Sequence, residues 1–170
     1  INKKKILLVG GTGYIGTVLY SSLTKKGYDV KSIDNQIYGK NIFIDNFTTN
    51  YNKRENFLNF KSITNDLRKT DYVIFLAGLV GDPITAKYPK ESNLVNDRGT
   101  IKSLKFLTKF KVKKLLYIST CSNYGLSTAK KKLNEKSPLK PLSLYAKSKV
   151  DIENYLIKNK KKLGFTFNIL

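Results

Sequence analysis

Ten residues near the N-terminus, LLVGGTGYIG (7–16), constrain this chain more than any other stretch. An apolar run, ILLV (6–9), suits a buried strand and empties into glycines at 10, 11, 13 and 16. The next residues, YIGTVLYSSLTKK, carry an amphipathic helical pattern. A second apolar run, YDVKSID (28–34), closes on Asp34, 18 residues after Gly16. Strand, glycine turn, helix and a later acid are what a loop that cradles a pyrophosphate requires. Gly10 permits the tight turn, Gly13 lets the backbone approach the phosphates, and Gly16 lets the helix pack on the strand. The helix N-terminus, opening with Tyr14 and Ile15, presents unpaired N–H groups to the anion. Asp34, followed by Asn35, would accept from the adenosine ribose hydroxyls and repel a 2′-phosphate, which favours NAD over NADP. A ligand-free strand-to-helix turn is the bland alternative, and it gives no reason for an acid at Asp34.

The rest of the chain alternates in the same way. Strands are expected at 6–9, 28–34, 57–60 (FLNF), 72–77, 114–119 and 165–170, and helices at 13–26, 93–109 and 145–162. In the second helix Ile101, Leu104 and Leu107 recur at helical spacing; in the third, Ile152, Tyr155 and Leu156 lead on to Leu163. Such alternation predicts an α/β fold, a Rossmann-type doubly wound parallel sheet with right-handed crossovers, in one domain over 1–170. The polar, Asn-rich stretch 35–56 and the stretch 121–144 read as long connections, and long connections in compact domains tend to be functional.

The formal charge of +20 raises the question of a nucleic-acid partner. Three of the 32 basic residues are arginine (Arg54, Arg68, Arg98), so 29 are lysine, in clusters at 3–5, 111–114, 130–132 and 158–162 instead of one stripe. Forked recognition of phosphates and bases favours arginine, so a solvated lysine surface is the better reading and no nucleic-acid partner is expected. No apolar run approaches the ~20 residues of a membrane span, and the short run after Lys3–Lys5 is too brief for a leader, so no membrane role is expected. One cysteine precludes an internal disulfide and the absence of histidine precludes a His-ligated metal, which fits a reducing cytoplasm. The chain has no methionine and stops inside FTFNIL, so a longer parent chain is expected.

The glycine spacing is G-x-x-G-x-x-G, and GGTGYIG (10–16) resembles the short-chain dehydrogenase/reductase superfamily, in its extended branch of NAD-dependent nucleotide-sugar epimerases and dehydratases. The resemblance implies a base that removes a proton from a sugar alcohol as hydride leaves for nicotinamide. YAKSK supplies Tyr145 and Lys149, four apart and on one helical face, where the ammonium is expected to lower the phenol pKa. Chance alone would supply about two such Tyr–Lys pairs in a chain this rich in both, so the pair's value is its place after the fifth strand. YISTCSNYG supplies Thr120, four residues before Tyr124 and 25 before Tyr145, as the family's catalytic Ser/Thr would lie. Its bland alternative is a strand-end hydroxyl that caps a turn.

The resemblance places Leu76, Ala77 and Gly78 of FLAGLVGDP against the cofactor and makes Asn96 of NLVNDRGT the family's asparagine. The adenine contact at the third strand end has two candidates, Ser62-Ile63 and Asp66-Leu67. Dehydratases of this branch carry an Asp-Glu pair after the catalytic threonine. Cys121 and Ser122 stand there instead, which leaves epimerisation, by transient oxidation and re-reduction, as the implied reaction. Cys121 has no histidine to activate it and reads as a space-filler. Three alternatives stay open: another NAD-dependent sugar-nucleotide oxidoreductase or dehydratase, a non-catalytic NAD-binding regulator, and an RNA-binding relative. The resemblance also implies a homodimer through helices 93–110 and 145–163, and a smaller substrate domain after Leu170 that selects the nucleotide sugar.

Overall fold

Four of the five residues of β1 (Lys5–Val9) are apolar because both faces of this strand are covered. Ile6 and Leu8 join one buried cluster, while Leu7 and Val9 join another on the opposite face. The fold comes from a computed structural model that describes residues 3–37, 51–126 and 132–170. Most of the expected connection 35–56, part of 121–144, and Lys130 and Lys131 of one lysine cluster therefore lie outside the described residues.

After β1 come α1 (Tyr14–Lys25), β2 (Asp29–Asp34), β3 (Asn52–Arg54), α2 (Phe60–Arg68) and β4 (Tyr72–Phe75). Then follow α3 (Asp82–Lys87), α4 (Pro89–Ser92), a π-helical stretch Asn93–Gly99, α5 (Thr100–Leu107), β5 (Lys114–Tyr117), α6 (Leu144–Asn159) and β6 (Thr166–Ile169). Among the described residues all strand pairs are parallel, in the order β3-β2-β1-β4-β5-β6. That is the doubly wound Rossmann order, in which the crossovers reverse between β1 and β4 and leave a crevice at their carboxyl ends.

Ile63 and Leu67 of α2, Leu104 and Leu107 of α5, and Ile152 and Leu156 of α6 pack on one sheet face with Leu7, Val73 and Leu115. Leu19, Tyr20 and Leu23 of α1 pack on the other, against Ile6, Leu8, Val30 and Ile74. The spacings read from the sequence in the second and third expected helices therefore mark the face that meets the sheet.

The segment between β2 and β4 corrects the sequence reading. FLNF (57–60) is not a strand; the third strand is Asn52–Arg54, paired with Ser32–Asp34. An edge strand bonds to one neighbour only and can be polar, whereas the apolar run reports two half-buried rings packed against the core from helical and turn backbone. Phe57 meets Phe75 edge-on at 5.4 Å, and Phe60 stacks on Phe106 at 4.5 Å as the first residue of α2. Asn59 caps that helix by accepting from the Ser62 N–H at 3.3 Å. Both candidate adenine pairs consequently sit on α2, away from any strand end. Ile63 and Leu67 are core residues, and Asp66 is ion-paired with Lys53 at 3.1 Å.

At the turn after β1, Gly10 has φ +84°, and a Cβ there would lie 2.6 Å from the backbone N and Cα of Ala77, which follows β4. Gly13, at φ −74°, is the N-cap of α1, and the nearest atom to a Cβ there would be 3.8 Å away. A Cβ on Gly16 would lie 2.6 Å from the Gly11 Cα, so this glycine lets the helix sit on the loop itself, not on the strand. Gly10→Ala is expected to lower the unfolding free energy by about 2–4 kcal/mol, from left-handed strain plus overpacking. Gly13→Ala should cost no more than about 1 kcal/mol. Urea unfolding of the two variants checks this, and equal losses would contradict the placement of strain at Gly10.

Candidate active site

A cavity of about 480 Å³ opens at the carboxyl ends of β1, β2, β4 and β5, where the sheet order reverses. Gly10, Gly13, Tyr14, Ile15 and Gly16 form one wall, Asp34 and Asn35 a second, and Leu76, Ala77 and Gly78 a third. Tyr145 and Lys149 close the side nearest α6. Twelve of the residues singled out from the sequence thus share one space.

Asp34 does more than face that space. Its carboxylate accepts from the Thr12 N–H at 3.0 Å and from the Gln36 N–H at 2.8 Å. The glycine loop is therefore tied to the end of β2 by a charged acceptor, while Gly10 N donates to the Ile33 carbonyl at 2.8 Å. Gln36, next to this carboxylate, is the only non-glycine residue with positive φ (56°) among those described.

Asn96 stands behind the wall instead of in it. Its side chain accepts from the Leu79 N–H at 2.7 Å and donates to the Leu79 carbonyl at 2.8 Å and to Ser92 Oγ at 3.3 Å. This buried amide fixes the backbone that follows Gly78. Gly78 itself accommodates the approach, since a Cβ there would lie 3.0 Å from Asn96 Oδ1. The asparagine therefore shapes the wall through the main chain.

Thr120 is also outside the cavity lining. It N-caps a short 3-10 turn (Cys121–Tyr124), and its hydroxyl oxygen accepts from the Ser122 N–H at 3.2 Å. Thr120 thus does cap a turn at the strand end, and capping does not consume the hydroxyl's own hydrogen. Ser143 caps α6 by accepting from the Ala146 N–H at 3.1 Å, which sets Tyr145 in the first turn of that helix.

Lys149 is buried, and burial pushes its ammonium down to about 8, opposed by the charge of Glu153. Its Nζ donates to the Ile118 carbonyl at 2.7 Å and lies 4.8 Å from the Tyr117 ring centre and 5.7 Å from that of Tyr145. The expected lowering of the Tyr145 pKa by this lysine is corrected here. Burial raises the Tyr145 phenol above its ordinary value, and Asp82 and Cys121 add to the rise. Desolvation of the phenolate outweighs a cation that is already bound to a carbonyl and set over the ring.

Several lining residues were not anticipated, among them Ile33, Ile37, Glu55, Phe57, Leu79, Val80, Val95, Ile118 and Ser119. Glu55 and Phe57 follow β3 directly, whereas a third strand at 57–60 would not bring them to a strand end. Ile118 and Ser119 follow β5, a position that the rule about carboxyl ends of strands already marks.

Comparisons with known proteins converge on this architecture. A family model described as the NAD dependent epimerase/dehydratase family matches residues 6–170. Protein CapI of Staphylococcus aureus is 32% identical over 158 residues, 85% of this chain and 46% of that protein. A UDP-glucose 4-epimerase of Lactobacillus helveticus is 29% identical over 168 residues, 98% of this chain and 50% of its own length. Among solved structures, a UDP-glucuronic acid 4-epimerase from Bacillus cereus, in complex with UDP-glucuronic acid and NAD, superposes with a TM-score of 0.86. It is 28% identical, and the match covers 97% of this chain and 55% of that one. The chain spans about half the length of the curated relatives it matches. Because a single family model takes in the glycine loop, the reversal point of the sheet and the helix of Tyr145 and Lys149 together, the chain belongs to the NAD-dependent epimerase/dehydratase family.

Proposed function

We propose that this chain is the NAD-binding part of a nucleotide-sugar epimerase. The observation that carries the reading is that the glycine loop, Asp34, Tyr145 and Lys149 line one cavity. The residues present fit the cofactor. Gly13 leaves the loop open towards the space where a pyrophosphate would lie, and the N-terminus of α1 supplies N–H donors and a favourable dipole. The volume suits a ligand pocket. Asp34 would accept from the adenosine ribose hydroxyls with the carboxylate already held in place by Thr12 and Gln36.

Bound NAD supplies a hydride acceptor that can later return the hydride. Tyr145 would take the proton of the sugar hydroxyl and give it back, while Thr120 would donate a hydrogen bond to the same oxygen. Lys149 would hold the nicotinamide ribose hydroxyls and keep positive charge beside the phenol. A pKa that burial raises makes that charge necessary, since the phenolate is otherwise scarce near neutrality. Epimerisation further needs the oxidised sugar to turn over between hydride transfers, so half of the work falls to residues that confine it loosely.

Other NAD-dependent sugar-nucleotide chemistry shares the first half-reaction. Cys121 and Ser122, where a dehydratase of this branch would carry Asp and Glu, favour epimerisation.

Tyr145→Phe, in the chain joined to its substrate domain, should reduce turnover at least about 100-fold, the lower range for loss of a general base. Calorimetry should find its NAD affinity within a few-fold of wild type. Substantial residual turnover would refute the base, and loss of NAD binding would refute the division of labour. In a separate titration, NAD affinity should hold from pH 6 to about 8 and then fall as Lys149 loses its proton. The sign follows from burial, which favours the neutral amine of the free protein, so ligand contacts to the ammonium fade above that pH. Lys149→Ala should bind more weakly and with a flat profile; a wild-type affinity that is level up to pH 10 would contradict this role.

A further inference from the structure

Behind the cavity wall, the end of β5 is fastened to α6 by side chains that no reaction step above uses. The Glu153 carboxylate accepts from the Ser119 hydroxyl and, at 2.7 Å, from the Asn123 side-chain amide. The same amide donates to Ser119 Oγ at 3.0 Å. One turn earlier on α6, Lys149 reaches the Ile118 carbonyl. Two successive residues after β5 are therefore held by two successive turns of one helix. Thr120 lies between these anchors, because the Asn123 N–H donates to the Thr120 carbonyl at 3.3 Å. The Asn123 carbonyl accepts from the Lys140 N–H at 2.8 Å, which joins the turn to the approach to α6.

The orientation of Asn123 indicates what dominates. The residue is buried, and its Oδ1 has no hydrogen-bond partner among the described residues. An amide accepts an orphaned acceptor when its donors gain more elsewhere, and donation to a carboxylate is the stronger kind of bond. A carboxylate also answers a second need here. Lys149 is a buried cation, and Glu153 lies four residues on along the same face of α6, each side chain reaching one of the two residues that follow β5, so the carboxylate stands on the side of the ammonium where its charge acts to keep it protonated.

We propose that Glu153 is a positioning residue of this site: its carboxylate ties the strand end and turn that carry Ser119 and Thr120 to the helix face that carries Tyr145 and Lys149, and supplies the counter-charge of Lys149. Its importance for turnover rests on the epimerase reading, but its geometry does not. Tyr145 and Lys149 come from α6 and Thr120 from the turn after β5, so nothing in either element alone sets their separation. Glu153 spans the gap between the two.

Glu153→Gln keeps an acceptor oxygen for Ser119 and Asn123 and removes the charge, whereas Glu153→Ala removes both. Lysine-selective ¹⁵N NMR of the ligand-free chain reads the Lys149 ammonium without cofactor or substrate. The other groups around it, the Tyr117 and Tyr145 rings and, acting on Tyr145, Asp82 and Cys121, are the same in both variants. The Lys149 midpoint should fall by about one pH unit in Glu153→Gln, the lower end of what an adjacent opposite charge does. In that variant, amide exchange at Ser122 and Asn123 should stay within a few-fold of wild type. In Glu153→Ala the same exchange should accelerate at least about tenfold, and NAD affinity should drop by a similar factor. An unchanged Lys149 midpoint in Glu153→Gln overturns the counter-charge role, and it does so even if Glu153→Ala fails to fold. Wild-type exchange and NAD affinity in a folded Glu153→Ala overturn the tie. A wild-type chain that binds no NAD counts against the proposed function, while the midpoint and exchange measurements still decide the role of Glu153.

Discussion

The cavity depends on how closely the chain leaving β1 can pass the chain leaving β4. These two strands are neighbours at the point where the sheet order reverses, and their exits diverge to opposite faces. Gly10 turns with positive φ against the backbone of Ala77, at a separation that leaves no room for a Cβ. A side chain there would push the two exits apart or tilt α1 off its bed on Gly11. The N–H groups at the start of α1 would then no longer face the space between Asp34 and Gly78. The glycines therefore work as a set: Gly10 and Gly16 allow backbone to touch backbone, and Gly13 leaves an opening.

Around that turn, polar groups serve as ties as much as contacts. Asp34 holds the loop through Thr12 and Gln36, Asn96 holds the wall through Leu79, Ser143 starts α6, and Lys149 and Glu153 hold the chain after β5. Each tie joins two segments that are far apart in sequence or that meet at an element boundary. Buried or half-buried polar groups of this kind are costly when unsatisfied and stiffening when satisfied. The site can in this way be pre-formed without contributing many apolar contacts of its own.

Most of the fold was legible because its signals are local. The run before Gly10, the helical spacing of Leu104 and Leu107, and the position of Tyr145 after the fifth strand each report their element directly. The β3–α2 region was not, because its strand is short, polar and at an edge. Its apolar residues, Phe57 and Phe60, advertise burial without advertising conformation. A signal did exist there: Asn59 as a cap, followed by Phe60, Ile63 and Leu67 at helical spacing. Reading those residues as a helix moves the third strand back towards Asn52 and brings Glu55 and Phe57 to its carboxyl end.

The sequence by itself determined the glycine turn, the acid at Asp34, the alternation that makes a parallel sheet, and the helical pairing of Tyr145 with Lys149. All of these depend on residues within one turn, one strand or one βαβ unit, where spacing and residue type suffice. Only the tertiary structure decided the order of the strands in space, the retreat of Asn96 and Thr120 from the cavity lining, and the tie from Glu153 to Ser119 and Asn123. It also decided the direction of the Tyr145 shift. Desolvation and hydrogen-bond partners are properties of what surrounds a group in three dimensions. Four residues of helical spacing between Tyr145 and Lys149 fix their proximity, but not how much water the phenol loses or which carbonyl the ammonium finds first.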